Sequence, residues 1–200
     1  MAGLLGIGVI AAVVISSGSA ATTTPATQLP TTAALAGAAG LTAKPPWGAP
    51  DSPERYIKAA GLSVGPMGTA AHFHVHLDIF VDGLPTPVPA NVGVVPATGG
   101  MSALHTHDAT GILHIEAPEK DSRFTLGQFF DEWNVRLTSN AIGGLTAGSG
   151  NTLRAFVNGK QVTGDPADIE LLAHQQIALV FGPSDANTPV PGTYNFPFGD

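Results

Sequence analysis

Residues 71–80 read AHFHVHLDIF, and their alternation limits the possible folds more than any other feature of the chain. His72, His74 and His76 occupy every second position, with Phe73, Val75 and Leu77 between them. In a strand successive side chains point to opposite faces, so period two is strand periodicity. The spacing predicts a strand over 72–82. Phe73, Val75, Leu77, Ile79 and Val81 would face the core, and His72, His74, His76, Asp78 and Phe80 the other side. Residues on the same face lie about 6.6–6.8 Å apart at Cα. Two imidazoles at that spacing can converge on one ion, whereas three in a row span twice the distance. Two would bind, while the third supports them or serves a second ion.

The remaining histidines are not spread evenly. Six of the seven fall between 72 and 114, and the seventh is His174. The stretch LHTHDATGILHIE (104–116) reads as a hairpin with its turn near Ala109-Thr110-Gly111. A two-residue loop at Ala109-Thr110 would set His105 opposite His114 and His107 opposite Ile112, with Glu116 diagonally adjacent. Opposed residues share a face, so His105, His107 and His114 would cluster. A three-residue loop would move His114 opposite Thr106 and break the cluster, because a slip of one residue exchanges faces. Candidate metal ligands are therefore His72, His74, His76, His105, His107, His114 and Glu116, and the ion they suit is copper or zinc. Asp108 and Glu116 could instead orient a ligand or act as a base on metal-bound water. Met67 and Met101 read as core residues or as thioether donors to Cu(I). His174 reads as structural. Three functions fit this pattern: a metal-binding protein, a metal-dependent hydrolase or oxidoreductase, or a structural or interaction domain whose histidines respond to pH.

Composition narrows the setting. Charged residues are 12% of the chain, while Gly (25) and Pro (17) are abundant, which suggests turns and surface loops over a helical bundle. Cysteine is absent, so disulfides, thiolate metal sites and cysteine nucleophiles are excluded. The formal charge of −7 supplies no basic face for nucleic acid. No P-loop, G-x-G-x-x-G or G-x-S-x-G pattern is present. Residues 1–20 contain an uncharged apolar run followed by Gly18-Ser19-Ala20, which reads as an export signal or membrane anchor. The Thr/Ala/Pro-rich segment 21–50 reads as a disordered linker, 51–183 as the histidine-rich domain and 184–200 as a C-terminal tail.

Within the domain, Ser52-Pro53-Glu54 signals a helix start, ending at Gly61. The segment 86–94, beside Pro85, Pro87 and Pro89, suits an edge or irregular strand. FTLGQFFDEW (124–133) predicts the one main amphipathic helix, with a capping box between Thr125 and Gln128. AIGGLTAGSGN (141–151) reads as a mobile loop. LRAFVNGKQVTG (153–164) predicts a hairpin around Asn158-Gly159, and QIALVFG (176–182) a last strand. The fold expected is α+β: a small mixed-sheet domain whose segment 153–182 resembles the second half of a ubiquitin-like β-grasp.

The strings AAGL, HFHVHLDIFVDG, LHTHDATGILHIE, FTLGQFFDEWNVRL and FVNGKQVTGDP, within about residues 57–182, also carry a family resemblance. The chain resembles a family of uncharacterised extracytoplasmic bacterial proteins with an N-terminal hydrophobic segment, an H-x-H-x-H motif and an L-H-T-H-D-x-[ST]-G motif ending in H-x-E. The resemblance implies a place outside the cytoplasm, membrane-anchored or secreted, and a shared histidine site.

Overall fold

The computed structural model describes Met1, residues 42–184 and residues 187–197. Apart from Met1, the expected signal or anchor and linker residues up to 41 lie outside the described residues. Among the described residues no helix is long and apolar enough to cross a membrane.

The chain forms an α+β domain built on one mixed sheet. Helix α1 (Pro53–Ala59) precedes the long strand β1 (Ala71–Val81), and a turn at Asp82-Gly83 leads into the short β2 (Leu84–Thr86). A small ribbon of β3 (Val94–Val95) and β4 (Gly100–Met101) follows, then β5 (Leu104–His105) and β6 (Ile112–Ala117). Helix α2 (Leu126–Trp133) leads to a three-stranded meander: β7 (Leu137–Thr138), β8 (Ala141–Ile142) and β9 (Leu145–Thr146). The chain closes with β10 (Asn151–Val157), β11 (Lys160–Val162), a 3₁₀ turn at Pro166–Asp168 and β12 (Gln176–Pro183). The main sheet runs β11-β10-β12-β1-β6-β5, with β2 also paired to β1. The two central strands, β1 and β12, are parallel, and the other pairs in this sheet are antiparallel.

Local chemistry explains several of these elements. The alternation in β1 buries Val75, Leu77 and Ile79 to 2% exposure or less, against the apolar side chains of α2. Thr125 caps α2 by accepting from the Gln128 backbone, and the Gln128 side chain accepts from the Thr125 N–H, which completes the expected capping box. Val157 pairs with Lys160, leaving Asn158-Gly159 as a two-residue loop with positive φ at both positions. β12 is buried along nearly its whole length, as befits a central strand covered on both faces.

Three expectations need correction. The segment 86–94 is not a continuous strand: pairing stops at Thr86, and the chain is irregular until Val94. Pro87 and Pro89 have no N–H to extend the ladder. The segment 141–151 is a packed meander, with Ala141 and Ile142 buried at its centre. The linker does not extend to residue 50. Trp47 is 3% exposed, meets the Trp133 ring edge-on at 5.9 Å and donates through Nε1 to the Ala43 carbonyl. One glycine explains the last two together. A Cβ at Gly143 would lie 2.5 Å from the Trp47 ring, so the sequence that resembles a flexible loop is the seat for an indole.

Replacing a buried tryptophan with alanine typically costs about 3–5 kcal/mol. Trp47→Ala should therefore lower the unfolding free energy by about that amount in a denaturant titration. A loss below about 1 kcal/mol would return residues 43–50 to the linker.

Candidate metal centre

The site is built by the register of three neighbouring strands. On β1 and β6, His72 pairs with Glu116, His74 with His114 and His76 with Ile112. On β5 and β6, His105 pairs with His114, as the hairpin register predicts. His74, His114 and His105 thus form one row across the sheet, and both H-x-H motifs lie on one face. The turn itself differs from the expected two-residue loop. Beyond His105 the backbone leaves β6, because Thr106 exchanges hydrogen bonds with the 91–92 segment: its N–H donates to the Val92 carbonyl and its carbonyl accepts from Asn91. Residues 106–111 become an open loop, and His107 swings over the row instead of facing Ile112.

The imidazoles pack against one another. Ring centroids of His107 and His114 are 4.4 Å apart, those of His105 and His107 4.7 Å, and those of His105 and His114 5.5 Å with nearly parallel planes. His105, His107, His114 and Glu116 each offer one donor atom, all within 4.8 Å of one another. This group could hold a metal ion. The His105 tautomer is fixed: its Nδ1–H donates to the Ser102 carbonyl at 2.9 Å, so Nε2 presents a lone pair. That Nε2 lies 3.2 Å from Nε2 of His107. Tetrahedral ligands about 2.0–2.1 Å from zinc lie roughly 3.3–3.4 Å from each other, so the two nitrogens already have ligand spacing.

Burial and neighbouring charges disfavour the protonated forms of His105 and His114. Burial, then the neighbouring His74, His107 and His105 rings, push His114 down to about 3. His105 is also lowered, first by burial, with the Ser102 carbonyl acting in the opposite direction. Two unit charges about 4 Å apart at an effective dielectric of 20 repel by about 4 kcal/mol. His105 and His114 therefore offer lone pairs near neutral pH, as metal ligation requires.

The other candidates separate clearly. His74 is buried, with its ring 4.4 Å from that of His114. His72 is half exposed and places Nε2 3.6 Å from Glu116 Oε1. His76 shares the face but stands apart from the donor group. Its Nε2 donates to the Thr110 carbonyl at 2.8 Å, and Nδ1 lies 2.9 Å from Gln176 Oε1. Gln176 in turn donates to Asp78 and the Ile177 carbonyl. Tyr194, from the expected tail, stacks on the His76 ring at 3.7 Å. His76 thus fastens the 106–111 loop and the C-terminal segment to the sheet. A Cβ at Gly111 would sit 2.6 Å from the Leu77 carbonyl and 3.0 Å from His76 Nε2, so this approach needs glycine. His174 donates its backbone N–H to the His74 carbonyl and turns its ring to Phe196. Asp108 accepts from the Thr110 N–H and hydroxyl, which shapes the turn and holds its carboxyl below the usual range.

Sequence reasoning missed the acids behind the site. Glu132 on α2 is fully buried, and an oxygen of its carboxyl comes within 3.0 Å of where a Gly93 Cβ would stand, beside the His105 Cβ. The Ser102 hydroxyl approaches it without closing a hydrogen bond. Burial raises Glu132 well above the carboxylate range and raises Asp131 to about 7. A helical reading puts Asp131 and Glu132 on the solvated side. Only the packing of the 93–105 segment, which brings Gly93 and Ser102 against Glu132, reveals that this acid is covered.

No family model, no curated protein and no solved structure matches the chain.

These shifts predict two opposite pH effects in metal-free protein. The folded value of His114, about 3, lies below the ordinary value near 6.5. The unfolded chain takes up a proton that the native ring refuses, so this contribution is present above about 6.5 and is lost as pH falls toward 3. Wild type should lose stability relative to His114→Asn between pH 7 and pH 4. Asp131 is raised in the fold, so its contribution is lost as pH rises through about 7. Asp131→Asn should gain on wild type as pH rises from 4 to above 7. Denaturant titrations in EDTA measure both differences, and pH-independent differences would contradict the assigned environments.

Proposed function

We propose that this chain is an extracytoplasmic metal-binding protein. It holds a divalent transition ion, copper or zinc, through His105, His107 and His114, with Glu116 as the fourth donor. The observation that carries this reading is the set of four donors within 4.8 Å of one another on one sheet face. The Ser102 carbonyl supports it by fixing the donor tautomer of His105. In the metal-free protein, Nε2–H of His107 donates to Nε2 of His105, and an ion takes the place of that shared proton. A carrying role fits better than catalysis, because Glu116 belongs to the donor group and Asp108 is tied to Thr110, which leaves neither as a ready base. The apolar run in residues 1–20 and the family resemblance support placement outside the cytoplasm, with that segment as export signal or membrane anchor. The strand order, with the first and last strands parallel at the centre and a helix between β6 and β10, supports a β-grasp assignment.

A metal bound only by the native state stabilises it by about 2.7 kcal/mol at one hundred times Kd. In a domain of this size that raises Tm by roughly 5–10 °C. Wild type should show such a rise with Zn(II) or Cu(II) at pH 7.5, where the ligand imidazoles are neutral. His105→Ala/His107→Ala should fold but lose most of the rise. An equal metal-induced shift in both proteins would remove these histidines from the site.

A further inference from the structure

The donor group does not use all the chemistry on its own face. His72 and His74 lie beside it on β1, opposite Glu116 and His114 in the ladder. Their rings are 5.0 Å apart, and the His74 ring is 4.4 Å from that of His114. Together the face carries five imidazoles and one carboxylate in contiguous contact, whereas a tetrahedral zinc site takes four donors. Glu116 occupies the seam. It belongs to the group with His105, His107 and His114, and its Oε1 lies 3.6 Å from Nε2 of His72. A carboxylate with imidazoles on both sides has one oxygen for each of two ions, and metal pairs of this kind sit about 3.5–4 Å apart.

We propose that the histidine face holds two metal ions, the second carried by His72 and His74 and joined to the first through Glu116. This rests on the reading that His105, His107 and His114 bind the first. The second ion has three protein donors, so one coordination position faces solvent. The half-exposed side chain of His72 marks that opening. The second ion is therefore the one that exchanges with solvent and binds small anionic or neutral ligands, while the first, anchored by fully buried His105, stays in place.

The test uses Cu(II) with the full chain. Native mass spectrometry counts the ions, and electron paramagnetic resonance reports whether they couple. Wild type should bind two ions, with signal lost to exchange coupling at the second equivalent. His72→Ala changes a half-exposed side chain and should fold normally by circular dichroism. It should bind one ion with full signal intensity and bind the second at least tenfold more weakly. Saturation of wild type at one ion would overturn the pair but leave the single-site reading standing. Two uncoupled ions, or an unchanged second ion in His72→Ala, would place that ion elsewhere and also overturn the pair. Failure to bind any ion would overturn both readings.

Discussion

The site depends on one backbone constraint, the antiparallel register of β6 between β1 and β5. That register places His114 opposite His74 on one side and His105 on the other. A slip of one residue would carry His114 to the core face and bring Ile115 or Leu113 out in its place. The apolar residues prevent this. Val75, Leu113 and Ile115 are fully buried, so the core that stabilises the sheet also fixes the alignment of the imidazoles. Folding and function are linked through the same alternation: each residue that locks the register has a neighbour that presents a ring.

The arrangement is costly without a ligand. Buried polar rings need hydrogen-bond partners, and the Ser102 carbonyl serves His105 as the Thr110 carbonyl serves His76. Burial and the neighbouring rings disfavour the charged forms of His105 and His114, which keeps these two competent as ligands. The acids add a second layer. Glu132 sits beneath His105 at the C-terminal end of α2, where the helix dipole disfavours a negative charge, and burial favours its neutral form. A neutral acid behind His105 would leave the charge of a bound ion to Glu116 and solvent.

Features set by local sequence were legible. The capping box of α2, the Asn158-Gly159 hairpin and the alternation of β1 depend on residues a few positions apart. The pairing of His105 with His114 was also readable, because a short hairpin offers few registers. Features decided at long range were not. Trp47 looked like part of a linker because its partner, Trp133, lies far along the chain, and the glycines that seat it looked like flexibility. His76 was indistinguishable from His74 in the alternating pattern, yet Gln176 and Thr110 draw it into a structural role. His107 reached the site by a route the hairpin pattern did not suggest, since Thr106 bonds to the 91–92 segment and peels the loop away from β6. Nothing in the helical pattern of α2 marked Glu132 as buried.

If the proposed site forms, imidazoles from β5, its following loop and β6 converge on one ion. X-ray absorption at the zinc edge, on protein loaded with one equivalent of Zn(II), tests it most directly. Binding by these residues gives a first shell of nitrogen and oxygen near 2.0–2.1 Å, with the multiple-scattering pattern of about three imidazoles. A shell of oxygen donors without imidazole scattering would contradict it.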